Sequence, residues 1–388
     1  MQRIAIAERP DWRAGAERLG FQFHTVDGEP YWDESAYYAF SLEEIERDIE
    51  APTGEVHELA MDLVGEVVQD ESLLRRLAIP EAYWEWIATS WREASPHLYG
   101  RMDFAYAGDG SGPAKLYELN YDTPTSLYEA AFFQWLWLEE QVERGALPKG
   151  TDQYNLIQET LIEAFASIAK RLPRPLYFSA VRESLEDQGT IAYLADCAEQ
   201  AGLATRKIAI EDIGLSEDGR YTDTDDYVIE ALFKLYPLEF MFAEPFGAAL
   251  PASRTLLIEP PWKAILSNKG ILPLLWQRHE GHPNLLPAFF DDKPEEALPV
   301  GWVRKPLLSR EGANIELRTN DGDTQRSDGP YTDAPYIRQA FHPLPKFDGG
   351  YPLIGSWVVG DRACGLGVRE DASLITQDTS RFVPHVIR

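Results

Sequence analysis

Two short segments of alternating polar and apolar residues, joined by a turn-forming cluster, constrain the fold of this chain most strongly. The alternating segments are residues 101–106 and 115–120, and residues 108–113 between them read Gly-Asp-Gly-Ser-Gly-Pro. Period-two alternation on both sides of such a cluster predicts a β-hairpin. If residues 108–113 form the loop, Ala107 lies opposite Ala114, and this pairing sets the register of the two strands.

That register predicts a polar cluster on one face of the hairpin. Asp103 lies opposite Glu118 and Arg101 opposite Asn120, and all four side chains share a face because strand side chains alternate. Two carboxylates facing each other across a strand pair lie about 5 Å apart and repel, and a divalent cation would remove that repulsion. Oxygen ligands of these types suit Mg²⁺, which usually binds through few carboxylates plus nucleotide phosphates. The hypothesis is a Mg²⁺–nucleotide site; the alternative is a solvated hairpin, since a one-residue slip would disperse the cluster.

Composition narrows the class of protein. The chain has 388 residues, enough for two or three packed regions or one large α/β enzyme, and its hydrophobic content of 44% excludes a disordered chain. A formal charge of −28 argues against nucleic acid as the main partner, because contacts to phosphate dominate that affinity. The same charge could attract a polycation such as a polyamine, although general acidity more often reflects solubility.

The cysteines and the apolar segments predict a cytoplasmic protein. Cys197 and Cys364 occur in unrelated contexts, which argues against a disulfide framework and against a cysteine-based metal site. Residues 1–10 lack the apolar core of a signal peptide. We find no apolar run that approaches 18 residues, so no membrane span is expected.

Periodicity and breaker residues predict a mixed α/β (α+β) protein in three segments. Residues 1–172 form a helix-rich region that includes the hairpin, residues 173–258 a small parallel α/β unit, and residues 259–388 an antiparallel α+β region. The expected helices are 41–79, 80–95, 127–145, 152–172 and 186–201, and the expected strands of the parallel unit are 176–181, 204–210 and 227–233.

The hairpin and its continuation resemble a known family. Residues 101–104 (Arg-Met-Asp-Phe) and 116–125 (Leu-Tyr-Glu-Leu-Asn-Tyr-Asp-Thr-Pro-Thr) are similar to the ATP-binding signature of the glutathionylspermidine synthase family. That family has an ATP-grasp fold with a preceding α/β (pre-ATP-grasp) region. The likeness extends over roughly residues 85–388, through further motifs in the family's order at 259–263, 267–273, 305–306, 309–315, 336–339, 355–357 and 369–371.

The resemblance implies roles for ten residues. Asp103, Glu118 and Asn120 would hold Mg²⁺ between the ATP phosphates, and Arg101 and Arg369 would neutralise the oxyanion that forms when an amine attacks. The remaining residues would contact ATP or cover its phosphates; they are Lys269, Lys305, Gln339, Arg310 and Gly312. Without the resemblance, several of these residues have a simpler interpretation. Lys305 could be a surface lysine, residues 369–371 could form a turn with an ion pair, and residues 310–312 could form an exposed loop.

The resemblance also implies an activity with open substrates. An ATP-grasp ligase phosphorylates a carboxylate and lets an amine displace the phosphate; here the donor would be a small peptide or amino acid, and the acceptor an amine or polyamine. The chain is similar to the branch without the family's cysteine-dependent amidase domain. Leu235 stands where the polyamine-conjugating enzyme has a small hydroxyl residue, which argues for a different specificity. A catalytically silent ATP-binding regulatory protein and a small-molecule kinase remain alternatives, and a homodimer is the expected assembly.

Overall fold

The computed structural model describes residues 1–26, 28–331, 334–377 and 379–388. Its helices are α1 Trp12–Arg18, α2 Leu42–Glu44, α3 Ala51–Val67, α4 Glu71–Arg76, α5 Trp84–Arg92, α6 Gln134–Glu143, α7 Ile157–Ile168, α8 Leu185–Gln200, α9 Leu238–Ala243, α10 Leu250–Ser253, α11 Lys263–Leu266 and α12 Ile271–Arg278.

The strands form several sheets. They are β1 Gln2–Ala5, β2 Thr25–Val26, β3 Glu29–Pro30, β4 Ala36–Phe40, β5 Tyr99–Ala105, β6 Lys115–Asn120, β7 Leu176–Ala180, β8 Thr205–Ala209, β9 Gly214–Leu215, β10 Tyr221–Thr222, β11 Ala231–Leu235, β12 Leu256–Ile258, β13 Ala288–Asp291, β14 Trp302–Pro306, β15 Glu316–Arg318, β16 Thr324–Arg326, β17 Tyr336–Ala340, β18 Tyr351–Val359, β19 Arg362–Asp371, β20 Arg381–Val383 and β21 His385–Ile387.

The predicted hairpin is formed by β5 and β6. The structure pairs Arg101 with Asn120 and Asp103 with Glu118, as the alternation predicts. The register then shifts beyond Asp103, where Phe104 pairs with Leu116; β5 ends at Ala105 and β6 begins at Lys115, so neither strand includes Ala107 or Ala114. The expected pairing of those two alanines is therefore wrong, because a bulge inserts one extra residue into β6.

The hairpin forms one edge of a five-stranded sheet with the C-terminal strands, in the order β20-β19-β18-β5-β6. On one face of β5, Met102 and Phe104 are buried in a hydrophobic core, and Arg101 and Asp103 lie on the other face. Strand β18 places Gly355 opposite Asp103. A Cβ atom at Gly355 would lie 2.8 Å from Cδ of Arg101, so glycine provides the space that the arginine occupies.

A second five-stranded sheet, β13-β17-β14-β15-β16, is antiparallel at each of its pairings. Lys305 lies on β14 and Gln339 on β17, and Gln339 is paired with Val303. The sheet therefore presents two of the five predicted nucleotide-contacting residues, Lys305 and Gln339, on neighbouring strands.

The parallel α/β unit has the strand order β12-β11-β7-β8, with α8 connecting β7 to β8. The third predicted strand is displaced, because it begins at Ala231 rather than at Tyr227. The carboxylate of Asp223 accepts hydrogen bonds from the backbone N–H groups of Asp225 and Tyr227 and holds this stretch in a turn.

Two predicted helices are also shorter than their periodicity indicates. The expected helix 41–79 ends at Val67, and Asp70 then caps a separate helix by accepting from the N–H groups of Ser72 and Leu73. The expected helix 152–172 begins only at Ile157, because Asp152 pairs with Ile387 in a β-bridge. No helix within the described ranges has the length and apolar character needed to cross a membrane.

Candidate active site

One cavity between the two five-stranded sheets is lined by all ten residues to which the sequence assigned roles. The hairpin contributes four of these residues, and the segment after α11 contributes Lys269. The second sheet and the loop after β14 contribute two residues each, and β19 contributes Arg369. They are Arg101, Asp103, Glu118, Asn120, Lys269, Lys305, Gln339, Arg310, Gly312 and Arg369. The structure thus brings the ten residues together; their individual roles stay predictions.

The four hairpin residues form a connected polar cluster. Arg101 donates from Nε to Oδ1 of Asp103 at 2.6 Å and from Nη2 to Oδ2 at 3.0 Å. Asn120 donates from Nδ2 to Oδ2 of Asp103 at 3.2 Å and to Oε1 of Glu118 at 3.3 Å. The amide therefore lies between the two carboxylates and offsets part of their mutual repulsion.

Two buried lysines face the same carboxylate from outside the hairpin. Nζ of Lys269 lies 3.3 Å from Oε2 of Glu118 and also donates to the carbonyl of Ser309. Lys305 donates to Oε1 of Gln339 at 2.9 Å and to the carbonyl of Tyr117 at 3.2 Å. Burial lowers the pKa of Lys305 to about 8. Burial acts to raise the pKa of Glu118, but the charges of Lys269 and Lys305 outweigh it and hold that pKa at about 2.

The loop after β14 passes over the cavity. Arg310 donates from Nη2 to the carbonyl of Thr123 at 3.2 Å, which connects the loop to the exit of the hairpin. Gly312 has φ +70°, and a Cβ atom there would lie 2.5 Å from the carbonyl oxygen of Thr376. Both the left-handed backbone and the close approach require glycine at this position.

Strand β19 carries Arg369 into the cavity and is held from its other face by a carboxylate that sequence reasoning missed. Glu370 is fully buried and accepts from Nε of Arg3 at 2.7 Å, from Nη2 of Arg381 at 2.6 Å and from the hydroxyl of Tyr38. Because neighbouring strand residues point to opposite faces, these bonds fix β19 without occupying Arg369. Two of the partners come from the first 40 residues, so no local pattern could have revealed the network.

A second acidic group lies near Arg369. Glu129 is fully buried, and its Oε1 accepts from the Tyr31 hydroxyl at 2.5 Å, while its Oε2 has no partner among the described residues. Burial raises the pKa of Glu129 and that of Glu186, and the charges of Glu129 and Asp187 raise the pKa of Glu186 further because like charges repel.

The donor set of the cavity fits an anionic ligand with a bound cation. Its lining includes five cationic side chains against four carboxylates, although the whole chain carries a formal charge of −28. Thr123 and Ser309 line the cavity, are buried, and have hydroxyl oxygens without a hydrogen-bond partner in the described part of the chain. Buried polar atoms are normally satisfied, so unsatisfied hydroxyls in a cavity indicate a ligand or water.

The metal-binding capacity of the site is limited. Within the described ranges, no group of three or more His, Cys, Asp or Glu side chains is arranged to hold a metal ion. Asp103, Glu118 and the amide oxygen of Asn120 would supply few ligands, and the remainder would have to come from a ligand's phosphates and from water. That is the coordination pattern of Mg²⁺ at nucleotide sites, so the residues present fit the predicted ion.

Sequence comparison identifies the family. The sequence model described as "Glutathionylspermidine synthase preATP-grasp" matches residues 3–388. A Haemophilus influenzae protein named provisionally as an acid–amine ligase is 41% identical, with 99% of each chain covered. Trypanothione synthetase of Crithidia fasciculata is 30% identical over 84% of this chain, which spans only 53% of that longer protein.

Structural comparison agrees at the level of the fold. A glutathione-synthetase-like effector from Globodera pallida superposes with a TM-score of 0.59 at 11% identity, with 98% of each chain covered. The chain therefore belongs to the glutathionylspermidine synthase family, and the family and fold class expected from the sequence are confirmed. The names of the relatives agree with the expected enzyme class, an ATP-dependent carboxylate–amine ligase.

Proposed function

We propose that this member of the glutathionylspermidine synthase family joins a small peptide or amino acid carboxylate to an amine, using ATP and an acyl phosphate. The observation that carries the proposal is the convergence of ten predicted residues from five parts of the fold on one cavity. Its relatives include proteins named as an acid–amine ligase and a trypanothione synthetase. A cytoplasmic location and assembly as a homodimer stay predictions.

Lys269 and Lys305 would bind the phosphates of ATP. Both ammonium groups are buried beside Glu118, so a phosphate oxygen that replaces water there meets cations already in place. Preorganised charge in a water-poor site stabilises the transferring phosphoryl group more strongly than mobile solvent. Gln339, on the strand beside Lys305, would contact the adenine side.

Asp103, Glu118 and Asn120 would hold the Mg²⁺ ion, which neutralises phosphate charge when it is bound. In the first step a carboxylate oxygen of the donor bonds to the γ-phosphorus as the bond to ADP breaks. In the second step the amine nitrogen bonds to the acyl carbon, phosphate leaves, and the nitrogen loses a proton. The products are an amide, ADP and phosphate.

Arg101 and Arg369 would stabilise the oxyanion of the second step. Arg101 is held rigidly by its paired bonds to Asp103, and Arg369 lies on the strand that Glu370 anchors. A guanidinium stays charged at every relevant pH and can bind an oxyanion through two hydrogen bonds.

Glu129, Glu186 and Asp187 would receive the amine acceptor near Arg369. Burial raises the pKa of each of these three carboxyl groups, so a bound ammonium would favour their ionised forms. Such a site suits an amine or polyamine; which amine is joined stays open.

The test is Mg²⁺-dependent release of ADP with a panel of peptides and amines. We expect release only when a carboxylate and an amine are both present, and loss of release in Arg369→Ala. Arg362→Ala is the matched control, since Arg362 lies on the same strand but is 56% exposed and pairs with Glu163. Nucleotide binding without release across the panel would favour a silent regulatory protein, and a stable phosphorylated product made without an amine would favour a kinase.

A further inference from the structure

The bulge in β6 turns Glu118 toward the cavity. Leu116 and Glu118 lie two positions apart and would share one face of a regular strand. Leu116 is nevertheless fully buried in the hydrophobic core, whereas Glu118 lines the cavity. Tyr117 is the extra residue of the bulge, since its two neighbours pair with consecutive residues of β5. The bulge therefore reverses the face on which the strand presents its next side chain, and the proposed Mg²⁺ site depends on that reversal.

A loop outside the cavity bonds to the outer side of this bulged strand. Strand β6 lies at the edge of its sheet, where backbone N–H and C=O groups are ordinarily left to solvent. Here the backbone N–H of Leu116 donates to the carbonyl of Asn284 at 2.8 Å, and Nδ2 of Asn284 donates to the carbonyl of Ala114 at 2.9 Å. Asn284, in the loop that follows α12, thus bonds to the hairpin on both sides of Lys115.

The loop that carries Asn284 is itself fixed. Asn284 is only 3% exposed, and its backbone N–H donates to Nδ1 of His282 at 3.2 Å. The next residue, Leu285, is buried in the hydrophobic core, and Lys115 of the hairpin donates to the carbonyl of Pro283. The loop is therefore a firm support for the edge of β6.

The cavity side of the same bulge is bonded to the second sheet. Nε2 of Gln339 donates to the carbonyl of Leu116 at 3.0 Å, and Nζ of Lys305 donates to the carbonyl of Tyr117 at 3.2 Å. The bulge thus connects the two sheets around the cavity. A shift of the bulge would move the carboxylate of Glu118 relative to Lys305 and to any phosphate bound there.

We infer that Asn284 is a positioning residue for the metal site, because it fixes the bulge and thereby the direction of Glu118. This inference rests on the proposed function, in which Glu118 holds Mg²⁺. Asn284 lies outside the cavity lining, so it acts on a ligand through the hairpin and not by contact. Partners that orient a metal ligand in this way typically contribute about 10- to 100-fold to metal affinity or activity.

The test compares the binding of ATP with Mg²⁺ and in EDTA, by calorimetric titration of the parent protein and of Asn284→Ala. We expect the variant to lose about 10- to 100-fold in affinity for ATP with Mg²⁺ and to keep its affinity for metal-free ATP. Asn155→Ala is the matched control, since the Asn155 amide also donates to a backbone carbonyl, that of Ala131 at 3.2 Å, outside the cavity lining. It should bind both forms of ATP as the parent does.

A double-mutant cycle with Glu118→Gln shows whether Asn284 acts through Glu118. Residues that act through one another have effects that do not add. In the Glu118→Gln protein, Asn284→Ala should therefore cause little further loss of Mg²⁺-dependent binding. Additive losses would overturn the inference, because Asn284 would then act on the ligand by another route.

Two further results would overturn the inference and leave the ligase function standing. One is an equal loss of affinity with and without Mg²⁺ in Asn284→Ala, and the other is the same change in Asn155→Ala. If Asn284→Ala does not fold, Lys115→Met replaces it, since this variant removes the bond from the hairpin to Pro283. A smaller loss restricted to Mg²⁺-dependent binding is then expected, and binding equal to that of the parent would contradict the inference.

Failure of the proposed function has a separate signature. If Mg²⁺ does not strengthen ATP binding by the parent, the proposed Mg²⁺–ATP site fails, and amide hydrogen exchange then decides about Asn284 alone. Faster exchange in residues 114–120 of Asn284→Ala than of the parent would support its role in fixing the bulge. Unchanged exchange there would overturn that role.

Discussion

Two buried ion pairs in this molecule differ in how many hydrogen bonds the rest of the protein provides to their charged groups. Glu259 and Lys263 are almost fully buried; the carboxylate also accepts from the backbone of Leu98 and Tyr99, and the ammonium also donates to the carbonyl of Tyr99. Glu118, paired with Lys269 at 3.3 Å, remains 24% exposed in a cavity. The charged groups of Glu259 and Lys263 are satisfied by the protein without a ligand, whereas Glu118 and Lys269 can still bind one.

The difference shows what each pair does for the protein. Ions removed from water are costly unless further hydrogen bonds complete them, and breaking a completed pair leaves an uncompensated charge. Incomplete pairs contribute less to folding but keep charge available for a ligand. Substitutions in the two groups should therefore affect different measurements.

The largest effect is expected for Lys263→Met, which leaves the Glu259 carboxylate buried without its cation. We expect a loss of about 3–5 kcal/mol in the free energy of unfolding, measured by denaturant titration. Lys293→Met is the control, because Lys293 and Glu296 are both more than 60% exposed and such pairs contribute about 0–1 kcal/mol. A Lys263 variant as stable as the parent would show that the pair is not needed for folding.

Lys269→Met should reduce activity rather than stability. We expect little change in unfolding and a fall of about 10²–10³-fold in kcat/KM for ATP, since one preorganised cation beside the phosphates is removed. Steady-state kinetics and denaturant titration on the same preparation measure both quantities. If the variant lost stability but kept its turnover, Lys269 would have a structural role and not a role in binding ATP.

Glu129→Gln tests the intermediate case of a buried carboxyl group with one satisfied oxygen. Burial raises the pKa of Glu129 from its ordinary value of 4.5 to about 7. The native state therefore binds a proton more tightly than the unfolded state, and stability falls as pH rises from about 4.5 to 7. The variant should be more stable than the parent above pH 7, by up to about 3 kcal/mol, and the difference should vanish below pH 4.5.

The unfolding free energies of both proteins, measured at several pH values between 4 and 8, check this prediction. A difference that does not depend on pH would mean that Glu129 does not titrate in this range. The tyrosine that donates to Glu129 is retained in both proteins, so the comparison isolates the charge.

Gly355→Ala should destabilise the fold less than Lys263→Met does. The added Cβ atom would press on Cδ of Arg101, which Asp103 holds in place, and such overpacking costs about 1–3 kcal/mol. We expect a fall in kcat that exceeds the change in stability, because Arg101 is displaced. Gly54→Ala in α3 is the control, since a Cβ atom there meets no atom within 4 Å; equal behaviour of the two variants would contradict the proposed role of Gly355.

Local patterns predicted the elements well where the local signal was complete. The alternation in residues 101–106 and 115–120 predicted both the hairpin and the pairing of Asp103 with Glu118. It failed at the bulge beyond Asp103, because the unpaired residue shifts the phase of the alternation, so that Leu116 and Leu119 are both buried although they lie three positions apart. The expected helix 41–79 was too long for a related reason: apolar periodicity continues through the position where Asp70 starts a new helix.

The candidate site was predicted in a different way. Resemblance to a family, not spacing, grouped Lys269, Lys305 and Arg369 with the hairpin, and the structure places them in one cavity. Asn284 and Glu370 were missed, because each acquires its setting from residues more than 100 positions away: Ala114, whose carbonyl accepts from Asn284, and Arg3, which bonds to Glu370.

The sequence by itself determined the hairpin face, the strand–helix–strand alternation of the parallel unit and the family. The first two depend on alternation and turn chemistry within a few dozen residues, whereas the family resemblance depends on short motifs spread from residue 101 to residue 371. Only the tertiary structure decided which buried charges are completed by the fold and which face the cavity. That distinction depends on long-range hydrogen bonds and on the loss of solvent, and neither is encoded in the spacing of residues along the chain.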